Sequence, residues 1–321
     1  MQAKYLENLT QQISGLRAVK PMGRVIATDG GRISVSGLTA HAKLGDRVSV
    51  HTGLQHAIMG EIVQIEGAHV TVVPDGNMEG LALGARVLQE LPLTISPCDS
   101  WLGRLLASDG TPLDGRPLLK GGTRRALRAG APAAADRRAF GPRLSTGSAA
   151  LNTVLPLVTG QRVGLFAGSG VGKSSLLATL VRNVSCDVAV VALIGERGRE
   201  LRHFTQEVLG KEGMKKCVVV ASTSDRSALE RRRCAWTAMT IAEHFRDEGK
   251  SVLYIADSIT RFAEAHREIA ASAGELPVLR GHPPSTAHLI TELCERAGPG
   301  VEGGGDITAV LSVLVQGSDM E

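Results

Sequence analysis

The sequence predicts an α/β domain built on a parallel sheet and preceded by a small β-barrel. Three observations carry that expectation. From Gln161 onward, apolar runs of strand length alternate with helical stretches. A glycine-rich loop joins the first of these strands to its helix, and residues 23–91 hold close-set, β-rich runs separated by turn signals.

Residues 1–20 open the chain. Tyr5, Leu6, Leu9, Ile13 and Leu16 recur at helical spacing, which predicts an amphipathic helix over residues 1–17. Such a helix is marginal alone and needs a surface, whether its own chain, a partner protein or a membrane. Residues 21–95 read as the barrel. Its runs are Arg24–Ala27, Arg32–Val35, Arg47–Val50, Glu61–Ile65 and His69–Val73, and its turns include Asp29-Gly30-Gly31 and Pro74-Asp75-Gly76-Asn77. No Phe, Trp or Tyr occurs between residues 23 and 91.

Residues 96–145 read as a connecting segment that crosses the surface of the next domain. Nine Lys and Arg stand there against four Asp and Glu, so the basic excess of a chain with net charge +4 is concentrated in it. Contact with nucleic acid or anionic lipid is one reading of such a segment; a solvated arginine-rich linker is the plainer one. The α/β domain is assigned to residues 146–321. Its strands are expected at 163–167, 188–194, 217–221, 251–256 and 308–315, with helices over 199–209 and 227–245 and another from Ile259. Ligands of such sheets sit at the carboxyl ends of strands, here Ala167, Gly195, Ala256 and Val315.

Composition adds exclusions. Apolar residues at 43% and charged residues at 21% are those of an ordinary globular chain. No apolar run approaches the ~20 residues that span a bilayer, and the polar start does not resemble a secretory signal. Cys98, Cys186, Cys217, Cys234 and Cys294 are scattered without a CxxC, as reduced thiols in a cytoplasmic protein would be.

The chemistry centres on Gly168-Ser169-Gly170-Val171-Gly172-Lys173-Ser174, followed by Ser175. Three glycines let the backbone wrap so that successive N–H groups point at phosphate oxygens, and the helix that follows adds its positive end. Lys173 is suited to neutralising β- and γ-phosphates, and the Ser174 hydroxyl to holding Mg²⁺. A plain glycine-rich turn is the alternative, and the coincidence of strand, Lys-Ser and helix argues against it. Ala167 occupies a position where the strict motif has Gly, which is admissible where the backbone needs no positive φ.

Asp257 closes an apolar run and is a candidate partner of Mg²⁺, or else a cap for the helix from Ile259. Glu196 ends a neighbouring strand, where a carboxylate can orient the water that attacks a γ-phosphate. The alternative for Glu196 is a carboxylate placed for a helix dipole. Arg197 and Arg261 are candidates for contact with nucleotide or a neighbouring subunit, and equally for structural ion pairs.

On these residues the chain resembles the ATPases that energise flagellar and type III protein export, relatives of the catalytic subunit of rotary ATP synthases. The matching stretches are GQRVGLFAGSGVGKSSLL (160–177), IGERGRE (194–200), residues 222–269, ERAGPG (295–300) and ITAVLSVLVQGSDM (307–320), with WLGRLLASDGTPLDGRPL (101–118) ahead of them. The resemblance implies a RecA-like ATP- and Mg²⁺-dependent motor that forms a hexameric ring. Such a ring is cytoplasmic and peripheral at the inner face of the bacterial membrane. It couples hydrolysis to chaperone release and to unfolding and export of substrates. By that likeness Lys173 binds phosphate, Glu196 is the catalytic carboxylate with Arg197 beside it, and Ser174 and Asp257 belong to the metal site. Residues 1–17 would meet a peripheral-stalk regulator and the membrane surface, and the export gate, chaperones and export substrates would be further partners.

There are departures. Relatives continue beyond the point where this chain ends, at Glu321, and supply an arginine finger there. Such a finger is worth ~10³ to 10⁵ in rate, so the expectation is a chain that binds ATP and hydrolyses it weakly. His266, His282, His288 and Gln316 also depart from the usual residues of the family. An RNA-dependent hexameric ATPase is a rival, disfavoured because single-strand barrels rely on aromatic stacking platforms and this one has none. The others are a virulence-type export ATPase, which shares these motifs, and a non-catalytic ATP-binding ring component, against which Glu196 argues.

Overall fold

The computed structural model describes residues 19–53, 56–168, 170–278 and 280–315. The helix expected over 1–17, Ser169 and Gln316 lie outside the described residues. The chain divides into two units, one running to Ser96 and including Gly121–Arg124, the other comprising Pro97–Lys120 and everything from Arg125.

The first unit is a closed barrel of β1 (Met22–Asp29), β2 (Arg32–Ser36), β3 (Arg47–His51), β4 (Ala57–Glu66), β5 (His69–Pro74) and β6 (Arg86–Gln89), in the order β1-β2-β5-β4-β3-β6. Every pairing is antiparallel. Alternation sends Val25, Ile33, Val35, Val48, Val50, Ile62, Val70, Val72 and Val87 into a buried aliphatic core. The sequence reading contains five of the six strands. β6 escapes it because only Val87 and Leu88 are apolar, yet β6 pairs with both β1 and β3 and closes the barrel. Gly60 lets β4 lie against β5, since a Cβ there would come 2.7 Å from the Val72 side chain and 2.8 Å from the Val73 carbonyl.

The second unit is a parallel sheet of β7 (Leu105–Ala107), β8 (Arg162–Ala167), β9 (Val188–Glu196), β10 (Cys217–Thr223), β11 (Ser251–Asp257) and β12 (Asp306–Leu314), in the order β8-β12-β11-β9-β10-β7. The short antiparallel piece Gly298–Pro299 lies beside β12. Its longer helices and the one after β9 are α1 (Lys173–Asn183), α2 (Gly198–His203), α3 (Ala228–Asp247), α4 (Ile259–Ser272) and α5 (Ser285–Arg296). Leu177, Leu180 and Val181 of α1 share one buried cluster with Val191, Leu193, Val219, Ile255 and Val310 of the strands. The helical stretch expected over 199–209 begins as α2 and continues as a π-helical turn, Phe204–Leu209.

The arginine-rich segment differs from a solvated linker. Leu105–Ala107 within it is the edge strand β7, paired with β10. The buried Arg104 is forked onto Asp114 at 2.6 and 2.8 Å, and its remaining donors reach the carbonyls of Arg116 and Pro117. Arg125 bonds Asp247, Arg137 bonds the Glu295 and Ala297 carbonyls, and Arg138 bonds Asp306 and the Gly304 carbonyl. Three of the segment's nine basic residues, Arg125, Arg137 and Arg138, thus clamp it onto later parts of the α/β unit.

Candidate nucleotide site

The carboxyl ends of β8, β9 and β12 converge on one cleft of about 680 Å³. Gly168, Gly170, Gly172, Lys173, Ser174 and Ser175 line it from the loop. Gly170 and Gly172 have φ of +77° and +91°, and Gly172 forms the N-terminal boundary of α1. These are left-handed conformations that a side chain resists, so the glycines are needed there. The first N–H groups of α1 have no intrahelical acceptor and are available at the cleft. Ala167 has no positive φ, and its carbonyl accepts from Val315 N at 3.0 Å, which ties β8 to the end of β12. Val171 is turned outward at 68% exposure.

Lys173 points across the sheet ends to Asp257, Nζ to Oδ1 at 2.5 Å, with both side chains largely buried. Ser312 Oγ donates to that same Oδ1 at 2.7 Å. Asp257 therefore does not cap α4; Ser258 does, its side chain accepting from Arg261 N. Leu314 N donates to Thr260 Oγ1 at 2.9 Å and fixes the end of β12 against α4.

Glu196 reaches the cleft through a β-bulge. Ile194 pairs with Ser222 and Glu196 with Thr223, so Gly195 is the extra residue, at φ +68°. A glycine in the left-handed region is what such a bulge requires, and it re-aims the side chain that follows. Burial raises the Glu196 pKa to about 7, reinforced by a hydrogen bond with Glu200 and by the charge of Asp257, and opposed by Lys173. Glu200 is held below the usual carboxylate range by that same bond, with Arg197 contributing its charge and its backbone N–H. Two carboxyls that share a proton near neutrality thus line the cleft.

Arg197, Arg231 and Arg261 stand at its rim. Arg261 pairs with Glu264 at 2.7 Å and Arg231 with Glu268 at 2.7 Å. Sequence reasoning named neither Glu200, Arg231 nor Ser312. Glu200 had a signal, four residues beyond Glu196 within IGERGRE; a buried serine in an apolar strand has none. His266, His282 and His288 do not line the cleft. Among the described residues no group of three or more His, Cys, Asp or Glu could hold a metal. No helix among them is long and apolar enough to cross a membrane.

Residues 147–321 match the family model described as ATP synthase alpha/beta family, nucleotide-binding domain. The chain belongs to that family. Within the ATP synthase alpha/beta family it is 44% identical to the flagellum-specific ATP synthase of Rhizobium meliloti strain 1021, over 94% of this chain and 64% of that protein. It is 39% identical to the type 3 secretion system ATPase of Xanthomonas euvesicatoria, over 97% of this chain and 71% of that one. Among solved structures, the assembled ATPase EscN of the enteropathogenic E. coli type III secretion system superposes with a TM-score of 0.85 at 37% identity, over 92% of this chain and 71% of that one. The chain thus spans 64% of the length of its Rhizobium relative.

Proposed function

We propose that this chain binds and hydrolyses ATP as the motor of a flagellar protein export apparatus, coupling hydrolysis to chaperone release and to unfolding and export of substrates. The carrying observation is that Lys173, held by an ion pair to the buried Asp257, and Glu196 line one cleft at a glycine-rich helix start. Lys173 has three N–H donors; with one on Asp257, two remain for phosphate oxygens. Gly168 through Ser175 cradle the phosphates through backbone N–H groups. Glu196 in its carboxylate form orients the attacking water and takes its proton as the water oxygen bonds the terminal phosphorus and the bond from that phosphorus to the β-phosphate oxygen breaks, ADP leaving with the electron pair. Arg197 and Arg261 are placed at the rim to meet charge on the phosphoryl group or on a neighbouring subunit.

Mg²⁺ fits the donor set. It takes hard oxygen ligands, commonly one or two from protein with the rest from phosphates and water, and the site offers the Ser174 hydroxyl and the second oxygen of Asp257. When bound, the ion neutralises charge on the phosphates.

The flagellum-specific relatives support the flagellar assignment. A virulence-type secretion ATPase is the second reading, favoured by the likeness to EscN. EscN is described assembled, and in complex with its central stalk EscO. By analogy we propose a homo-oligomeric, hexameric ring of this chain at the inner face of the cell membrane. Residues 1–17 would meet the peripheral-stalk regulator, and the export gate, chaperones and substrates would approach the ring.

The test is ATP hydrolysis measured against protein concentration for this chain and for Glu196→Gln, with nucleotide binding followed separately. Turnover that rises with concentration and vanishes in the variant while binding persists supports the motor. Binding without turnover at any concentration leaves the non-catalytic ring component.

A further inference from the structure

Arg231 stands in the first turn of α3 at the rim of the cleft, and its side chain is held by three parts of the fold at once. Its Nη2 donates to both oxygens of Glu268 on α4, at 2.9 and 2.7 Å. Its Nε donates to the carbonyl of Arg226, in the turn between β10 and α3, at 3.2 Å. Its Cδ lies 3.6 Å from the point where a Cβ of Gly195 would stand, so the aliphatic stem packs on the bulge of β9. Charge-assisted bonds fix the head of the side chain, which is only 14% exposed.

Two of these contacts lead to Glu196. The turn that Arg231 holds through Arg226 O carries Ser224, whose N–H donates to the Glu196 carbonyl at 3.1 Å. The same turn is closed on itself by Arg226 N–H, which bonds Thr223 O at 3.0 Å. On the other side of Glu196, Gly195 at φ +68° aims the side chain, and a glycine has no Cβ of its own to limit its movement. Its neighbours limit it instead. Arg261 meets the bulge with Cβ and Cγ, the atoms nearest its own backbone, whose place is set by α4. Arg231 meets it with Cδ, whose place depends on where the guanidinium is bonded.

Resting on the reading of Glu196 as the group that activates water, we infer that Arg231 is a positioning residue for Glu196. Held by Glu268, it keeps the Gly195 bulge and the Ser224 turn in place, and so fixes the direction of the Glu196 carboxylate. It acts through Glu196 and touches no reacting atom. A displacement of about 1 Å at a catalytic group can cost ~10²-fold, so freeing the bulge lowers turnover. The grip on phosphate belongs to Lys173 and the loop and is retained. Stability changes little, because an ion pair whose carboxylate is half exposed contributes little to it.

The test compares the full wild-type chain with Arg231→Met, Arg231→Lys, Glu268→Ala and the double variant Arg231→Met with Glu268→Ala. ATP turnover, calorimetric binding of ATP in Mg²⁺ and thermal melts are measured for each. Arg231→Met keeps a stem and loses the bonded head. Glu268→Ala loses the same bonds while every residue that lines the cleft is unchanged, and it serves where the arginine variant does not fold. Expected are a kcat lowered about 10- to 100-fold in both single variants, with ATP Kd within about 3-fold of wild type and melts nearly unchanged. Arg231→Lys, which keeps a donor for Glu268, should recover part of kcat, and the double variant should be no worse than Arg231→Met. Full turnover in either single variant, losses that add in the double variant, or a Kd that weakens as far as kcat falls overturns the inference and leaves the reading of Glu196 standing. Absence of turnover in the wild type overturns both.

Discussion

Ser312 donates its hydroxyl to the carboxylate oxygen of Asp257 at 2.7 Å, the same oxygen that Lys173 holds from the other side at 2.5 Å. Both groups are buried, so the carboxylate cannot turn without breaking a charge-assisted bond worth about 1.5–3 kcal/mol. With one oxygen fixed, the other is fixed too, at the position from which it would meet Mg²⁺.

Ser312→Ala should therefore loosen Asp257 without removing it. The Mg²⁺ concentration that half-saturates nucleotide binding is expected to rise several-fold, roughly the effect of losing a partner that orients a metal ligand. Ser312→Thr keeps the hydroxyl and should restore most of the wild-type value. An equal loss in both variants would mean that the strand, and not the hydrogen bond, is what matters.

The carboxyl pair in the cleft gives a pH dependence. Glu196 titrates at about 7 and acts as its carboxylate, so turnover should fall as pH drops through neutrality. Glu200→Gln removes a carboxylate that stabilises the protonated form of Glu196, and should move the acid limb of the kcat/KM profile to lower pH. Stability runs the other way. The folded state holds this proton and the unfolded chain does not between about pH 4.5 and 7. Stability therefore declines as pH rises through that window, and Glu196→Gln should be the more stable protein at pH 8, by on the order of 1–2 kcal/mol once solvent screening is allowed for. Thermal melts at pH 5 and pH 8 read this directly.

Gly195→Ala tests the bulge. At φ +68° an alanine costs about 1–2 kcal/mol, while the added Cβ would meet Arg261 only at an ordinary contact distance of 3.4 Å. Nucleotide binding through the loop should survive while turnover falls at least tenfold, because Glu196 is re-aimed by the same residue. Unchanged turnover would detach the bulge from the chemistry.

The parts of the molecule that were legible in the sequence are those where residue type and backbone demand coincide. Val and Ile alternating in β2, β3 and β5 announce a barrel, and glycines at 170 and 172 announce a left-handed loop before a helix. What stayed hidden depends on distant partners. Leu105–Ala107 is three residues long and is a strand only because β10 pairs with it. α5 follows a Pro-Pro pair and shows just Leu289 and Leu293 as a buried aliphatic pair at helical spacing. Arg137 and Arg138 look like surface charge in the sequence because carbonyl acceptors leave no mark on it.

A second hidden pair is Glu243 of α3 and Arg296 of α5, each about 5% exposed or less and joined by two bonds of 2.7 and 2.8 Å. The remaining Arg296 donor goes to the Leu127 carbonyl, and Thr240 shares the fork. Removing one partner leaves a buried charge uncompensated, at about 3–5 kcal/mol. Glu243→Ala should lower the urea midpoint accordingly, and Glu243→Ala with Arg296→Leu should recover part of it. Additive losses in the double variant would show that the two charges act independently.

His266 joins α4 to the start of α5 and titrates in a way that can be read. Its Nε2 is 2.7 Å from Ser285 Oγ, and Ser285 donates to Glu275 at 2.5 Å, so Nε2 carries the hydrogen. Its Nδ1 faces an Arg232 N–H at 3.3 Å and accepts, which fixes the ring as neutral. Burial and the Arg232 charge hold its pKa down to about 4. The unfolded chain takes up a proton near pH 6.5, the folded ring only near 4. The stability this contributes is complete above pH 6.5 and is lost as pH falls from 6.5 to 4, on the order of 1–2 kcal/mol after allowance for solvent. His266→Gln cannot take up that proton. Its stability should fall less steeply than that of the wild type over this interval, although its stability at pH 7.5 should be lower through imperfect bonding to Ser285. Parallel pH profiles for the two proteins would place the proton uptake elsewhere in the fold.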